Sequence, residues 1–152
     1  MRILIPAALL LVASAALAQD REVPYWATIK AEKLNMRVGP GQTYPIEWVY
    51  HRKGLPVKVI RLHEGYRRIE DQDGAQGWVP ARMLSPDRGA VVVGEELAEI
   101  REAAGGGGRL KWRAEPGVVG QLGACDAGWC EFDIGGRAGF VRQDRLWGAG
   151  AP

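Results

Sequence analysis

Nucleophiles and bases are scarce in this sequence. The only serines are Ser14 and Ser85, the only histidines His51 and His63, and the only cysteines Cys125 and Cys130. A catalytic nucleophile needs a base and an orienting group within hydrogen-bond reach. Ser14 falls in an apolar leader. His51 stands in a basic turn with Arg52 and Lys53, and His63 precedes Glu64-Gly65 at a strand end. Both histidines read as solvated turn residues, and the chain reads as non-enzymatic. Two thiols with no neighbouring histidine or further cysteine cannot complete a zinc shell. Asp71-Gln72-Asp73-Gly74 lacks the later glutamate of a calcium loop and reads as a hairpin turn. No metal and no cofactor are expected.

An excess of charge is also missing. The net charge is +2 with 25% charged residues, so the sequence has neither a nucleic-acid footprint nor an acidic tail. A membrane-length hydrophobic run is missing too. The apolar stretch from Ile3 to Leu17 is shorter than the roughly 20 residues a spanning helix needs. It follows Arg2 and ends in Ala16-Leu17-Ala18, a small-x-small cleavage site. This is the pattern of a secretory signal peptide over residues 1–18. The expectation is an exported chain, periplasmic or secreted, with no membrane attachment after cleavage. In an exported protein an even cysteine count favours a disulfide. Cys125 and Cys130 enclose the turn signal Asp126-Ala127-Gly128-Trp129, and a bridge between them would pin that hairpin. Redox and metal roles are the rival readings.

Glycine is plentiful, at 21 residues, and divides short alternating segments. Strands are predicted at Tyr25 to Ala31, Leu34 to Val38, Ile46 to Tyr50, Pro56 to Leu62, Tyr66 to Glu70 and Gly77 to Val79. A single 3-10 turn is predicted at Pro80 to Leu84. Gly94 to Ala104 alone carries helical spacing, with good helix formers.

An internal repeat decides that segment. At an offset of 64, Met36-Arg37 matches Ile100-Arg101 and Trp48 matches Trp112. At 63, Gly54 matches Gly117, and Gly65-Tyr66 matches Gly128-Trp129. At 62, Gly77-Trp78-Val79 matches Gly139-Phe140-Val141, and Leu84 matches Leu146. Residues 94–104 therefore take the place of a strand and its turn. The fold class is all-β: two tandem small barrels, residues 24–86 and 90–148, with Trp78 and Phe140 expected inside. Gly77 would permit close approach of the neighbouring strand.

The runs Leu34-Asn35-Met36-Arg37-Val38-Gly39-Pro40-Gly41, Gly54-x-x-Val57-x-Val59, Gly65-Tyr66-Arg67-Arg68-Ile69 and Gly77-Trp78-Val79 resemble a bacterial SH3-type (SH3b-like) domain. The second copy is more divergent: it lacks the glycine-proline turn. The resemblance covers residues 25–148. It implies SH3-like barrels of five or six strands. It also implies non-catalytic attachment to cell-wall peptide or to a periplasmic protein partner.

Six tryptophans and four tyrosines exceed what such cores need. Tyr44 lies in a turn, Trp48 and Tyr50 share parity on one strand, and Tyr66 begins another beside a glycine. With Arg37, His51 and Arg52 they would form an aromatic groove suited to a peptide or a carboxylate-bearing stem. Trp48 also fits a core or interdomain role, and Arg37 a bond to a turn carbonyl. Four glycines at residues 105–108 replace the aromatic turn in copy two, so copy one is the expected binding barrel. The alternative is a structural or assembly subunit of an envelope complex, with its aromatics buried against a partner.

Overall fold

The computed structural model describes residues 21–152; the expected leader, residues 1–18, lies outside the described residues. The first half contains β1 (Tyr25–Ile29), β2 (Leu34–Arg37), β3 (Ile46–Tyr50), β4 (Pro56–His63), β5 (Tyr66–Glu70) and β6 (Gln76–Pro80). A 3-10 turn at Ala81–Met83 leads to β7 (Leu84–Ser85). The second half contains β8 (Gly89–Val92), β9 (Ala98–Arg101), β10 (Leu110–Ala114), β11 (Val119–Asp126), β12 (Trp129–Ile134) and β13 (Arg137–Arg142). A second 3-10 turn at Gln143–Arg145 leads to β14 (Leu146–Trp147). Among the described residues no helix is long and apolar enough to cross a membrane.

The strands form two seven-stranded antiparallel sheets. Their orders are β3-β2-β6-β5-β4-β1-β7 and β10-β9-β13-β12-β11-β8-β14. Each strand of the second occupies the place of the strand seven earlier, so the sequence repeat is also a repeat of topology. The architecture is two tandem SH3-like barrels. Residues 98–101 are strand, not helix. Ala98 and Ile100 point into the second core as Leu34 and Met36 point into the first.

Alternation selects the core. Val57, Val59, Ile69 and Val79 are fully buried in the first barrel, and Val92, Phe132, Val141 and Leu146 are buried in the second. Burying an aliphatic side chain of this kind stabilises by about 1.5–3 kcal/mol relative to exposure. Trp78 and Phe140 do not fill these cores. Both are half-buried, and the valine beside each goes inside instead. The reason lies in Gly77. A Cβ there would stand 2.5 Å from Met36 Cγ and 3.0 Å from the Arg37 carbonyl oxygen. Gly77 thus faces the core, where β6 closes on β2. Strand alternation then turns Trp78 outward. Gly139 repeats the device against Ile100 and the Arg101 carbonyl.

Cys125 and Cys130 pair across the β11–β12 hairpin and form a disulfide, with Cα atoms 4.0 Å apart. Trp26 joins the two barrels. Its ring meets Trp147 edge-on at 4.7 Å between centroids, and its indole N–H donates to the Gly150 carbonyl at 3.0 Å. Arg88 donates to the Gly148 carbonyl at 2.6 Å. The Arg52 guanidinium donates to the Gly117 carbonyl across the same seam. A cleft of about 700 Å3 runs along it, lined in part by Thr28, Lys53, Arg88, Gln121 and Asp133.

Candidate functional site

The exposed apolar surface of the first barrel concentrates at one hairpin. Val38, Tyr44, Ile46 and Trp48 are 53%, 45%, 46% and 56% exposed. All four lie on or beside the β2–β3 connection. Gly39 and Gly41 lie against the Tyr44 ring, and a Cβ on Gly39 would overlap its Cγ, Cδ1 and Cε1 atoms. The glycines therefore let Tyr44 fold back over its own turn. Arg37 Nη1 donates to the Tyr44 carbonyl at 2.7 Å, and the Val38 N–H donates to the Pro45 carbonyl at 3.1 Å. Arg37 thus serves the turn directly. The register slips by one residue at Glu47, between the pairs Arg37–Ile46 and Met36–Trp48. Such a bulge bends an edge strand and re-aims its side chains.

Tyr50 is not part of this surface. It shares parity with Trp48, but β3 enters the barrel along its length, and Tyr50 is only 6% exposed within the first core. Its hydroxyl donates to Asp71 Oδ2 at 2.9 Å. Asp71 Oδ1 accepts from the Asp73 N–H at 3.0 Å and the Ala75 N–H at 2.9 Å. The β5–β6 turn is built on this carboxylate. His51 is exposed in the turn after β3, the length of the strand away from Tyr44. Arg52 is committed to the seam. The groove edge expected from His51 and Arg52 is therefore not assembled.

Burial, and then the hydrogen bond to and charge of Asp71, raise the Tyr50 phenol well above its ordinary value of 10.0. The folded chain keeps this proton where the unfolded chain releases it. Above about pH 10 the unfolded state binds fewer protons, so stability falls as pH rises. The contribution is fully present below the unfolded value. The melting temperature of wild type relative to Tyr50→Phe is expected to hold level from pH 7 to 9 and drop above pH 10. A difference independent of pH would contradict this.

Tyr66 and Arg37 do come together. They line a cleft of about 330 Å3 with Asn35, Gln42, Pro80 and Arg82. The Asn35 side-chain oxygen in this cleft is buried without a hydrogen-bond partner. Pro80 and Arg82 carry no motif that marks them in the sequence; the strand pairing Tyr66–Pro80 brings them in.

The second barrel treats the same positions differently. Trp112 is half-buried and packs on the second core. Lys111 lies over its ring at 4.5 Å and donates to the Ala138 carbonyl at 2.7 Å. Arg101 is held by Glu99, at 2.6 Å from Nη2. Gly105, Gly106 and Gly108 all have positive φ and present no side chain where copy one has Tyr44.

Bacterial SH3 domain is the family description that matches residues 30–86 and again residues 94–148. No curated protein matches the sequence. Among solved structures, NlpC2 from Trichomonas vaginalis is similar at 10% identity and TM-score 0.37, over 84% of this chain and 49% of that one. NlpC1 from Trichomonas vaginalis gives 12% and 0.38, over 93% and 51%. An NlpC/P60 family protein from Bacillus cereus ATCC 10987 gives 10% and 0.37, over 81% and 56%. The chain thus spans about half the length of these proteins. With both barrels matched, the chain belongs to the bacterial SH3 domain family and carries the domain twice.

Proposed function

We propose that the protein is an exported, non-catalytic attachment module whose first barrel recognises cell-wall peptide through the β2–β3 hairpin. Tyr44 and Trp48 supply the rings, Arg37 holds the turn, and Tyr66 lines the adjoining cleft. The observation that carries this reading is the contrast between Trp48 and Trp112. The two occupy the same place in the two barrels, yet Trp48 is bare and Trp112 is capped by a lysine. Exposing a tryptophan wastes burial that its counterpart collects, and ligand contact accounts for it. Work outside the cytoplasm, in the periplasm or beyond the cell, is supported by the leader pattern and the hairpin disulfide. The experiment is co-sedimentation of the purified protein with isolated sacculi. Retention in the pellet, reduced in a Tyr44→Ala/Trp48→Ala protein, is the expected result. Absence of wild-type protein from the pellet removes the wall reading.

A periplasmic protein partner is the second reading. Val38 and Ile46 favour it, because they add aliphatic surface beside the rings, as the centre of a protein interface does. Crosslinking in native envelope extract distinguishes it: a discrete adduct lost in Trp48→Ala, with no sacculus binding, selects the partner.

A further inference from the structure

The outer face of the first sheet carries a row of charge that nothing in the barrel balances. Arg61 on β4 pairs with Arg68 on β5, Arg68 pairs with Trp78 on β6, and Trp78 pairs with Arg37 on β2. Directly paired residues in an antiparallel sheet point to the same side, so the row runs across four strands as Arg61, Arg68, Trp78, Arg37. Like charges placed directly opposite destabilise a sheet, yet Arg61 and Arg68 face each other. The ion pairs among the described residues are Lys58–Glu70, Arg101–Glu99 and Arg142–Asp144; none neutralises this row. Glu70, the acid next along β5 on this side, is taken by Lys58 at 3.4 Å and by Gln76 at 2.6 Å.

A second row runs beside the first, two residues further along the strands. His63 pairs with Tyr66, and Tyr66 pairs with Pro80. His63 also meets Trp78 edge-on at 6.0 Å. A charged row thus lies next to a row of rings. The fold does not require this. In the second barrel Arg101 pairs with Phe140 and Phe140 with Glu131. Arg68 is there replaced by an acid, and Arg101 is already paired with Glu99.

We propose that this face binds an extended peptide in which acidic and apolar side chains alternate. Side chains of an extended chain project to opposite sides in turn. Laid across the strands, such a peptide sends its acids to the arginine row and its apolar groups to His63, Tyr66 and Pro80. Arginine's planar fork suits carboxylates, and the ring row favours a peptide over a purely phosphate polymer. The face borders the β2–β3 hairpin and shares Arg37 and Tyr66 with it, but Arg61, Arg68 and His63 lie outside the hairpin, and the proposal does not rest on what the hairpin binds.

The test is fluorescence anisotropy of the purified protein with a labelled Glu-Val-Glu-Val-Glu peptide, beside Lys-Val-Lys-Val-Lys and inorganic polyphosphate. Binding of the acidic peptide that weakens with salt is expected. Arg61→Glu/Arg68→Glu should weaken it by about tenfold or more, with the melting temperature little changed, because one facing pair of like charges replaces another. Trp48→Ala should leave it unchanged. Equal binding by the charge-reversed protein overturns the proposal, as does polyphosphate binding in place of the peptide. If the charge-reversed protein melts early, Arg68→Gln decides: weaker binding with unchanged melting supports the site, and unchanged binding overturns it.

Discussion

Trp48→Ala is expected to weaken attachment to purified cell walls by about thirtyfold while leaving the melting temperature within a degree or two. The magnitude follows from an exposed ring at the centre of a contact surface, where truncation costs about 2 kcal/mol or more. The unchanged stability follows from its exposure: at 56% the ring contributes little burial to the barrel. Trp112→Ala is the matched control, with the opposite outcome. Its half-buried ring packs on the second core beneath Lys111, so its loss lowers the melting temperature and leaves wall binding in place. Co-sedimentation against protein concentration, with thermal melts of both variants, checks the pair. Equal binding loss in both would mean that the barrels share the ligand.

Asp71→Ala is expected to cost about 3 kcal/mol of stability. Asp71 is 7% exposed and accepts three hydrogen bonds, from the Tyr50 hydroxyl and the Asp73 and Ala75 amides. Alanine leaves the buried Tyr50 hydroxyl only the weak Met36 sulfur acceptor at 3.5 Å, a cost of about 1–3 kcal/mol, and removes two turn bonds worth about 0.5–1.5 kcal/mol each. For a unit of this size the melting temperature falls by on the order of 15 °C. Asp71→Asn keeps an oxygen for the amides and an NH2 for the tyrosine oxygen, so it should cost about a third as much. The pair has no counterpart in the second barrel, where Ala114 stands at the place of Tyr50. The loss is therefore expected in the first barrel's unfolding transition, read by urea melts.

Local and repeated features are legible in the sequence. The disulfide follows from two cysteines around a tight turn. The strand at residues 98–101 follows from its match to Leu34–Arg37, against its own helical propensity. Gly77 marks a point of close approach in sequence and fold alike, whereas its neighbour Trp78, expected in the core, is half-buried on the other face. Those two expectations conflict. Alternation puts Gly77 and Val79 on one face and Trp78 on the other, and a period-2 reading anchored on the glycine removes the error.

Other features depend on pairings between distant strands. Trp48 and Tyr50 share parity, but which of them lies over the core depends on how far β3 enters the barrel and where Asp71 waits for the hydroxyl. Arg52 reads as a turn cation until Gly117 of the other barrel is placed beside it. The arginine row is the clearest case. Arg37, Arg61 and Arg68 each occupy an ordinary polar position, and only the registers of β4, β5, β6 and β2 line them up.

A division of labour is proposed between the barrels, with ligand recognised by the β2–β3 hairpin of the first and the second acting as its structural partner. Backbone amide shifts of isotopically labelled protein, titrated with a soluble cell-wall stem peptide, test it most directly. Shifts centred on residues 37–48 and Tyr66 are expected, with residues 100–112 still. Shifts centred on the second barrel or on the seam around Trp26 and Trp147 would contradict it.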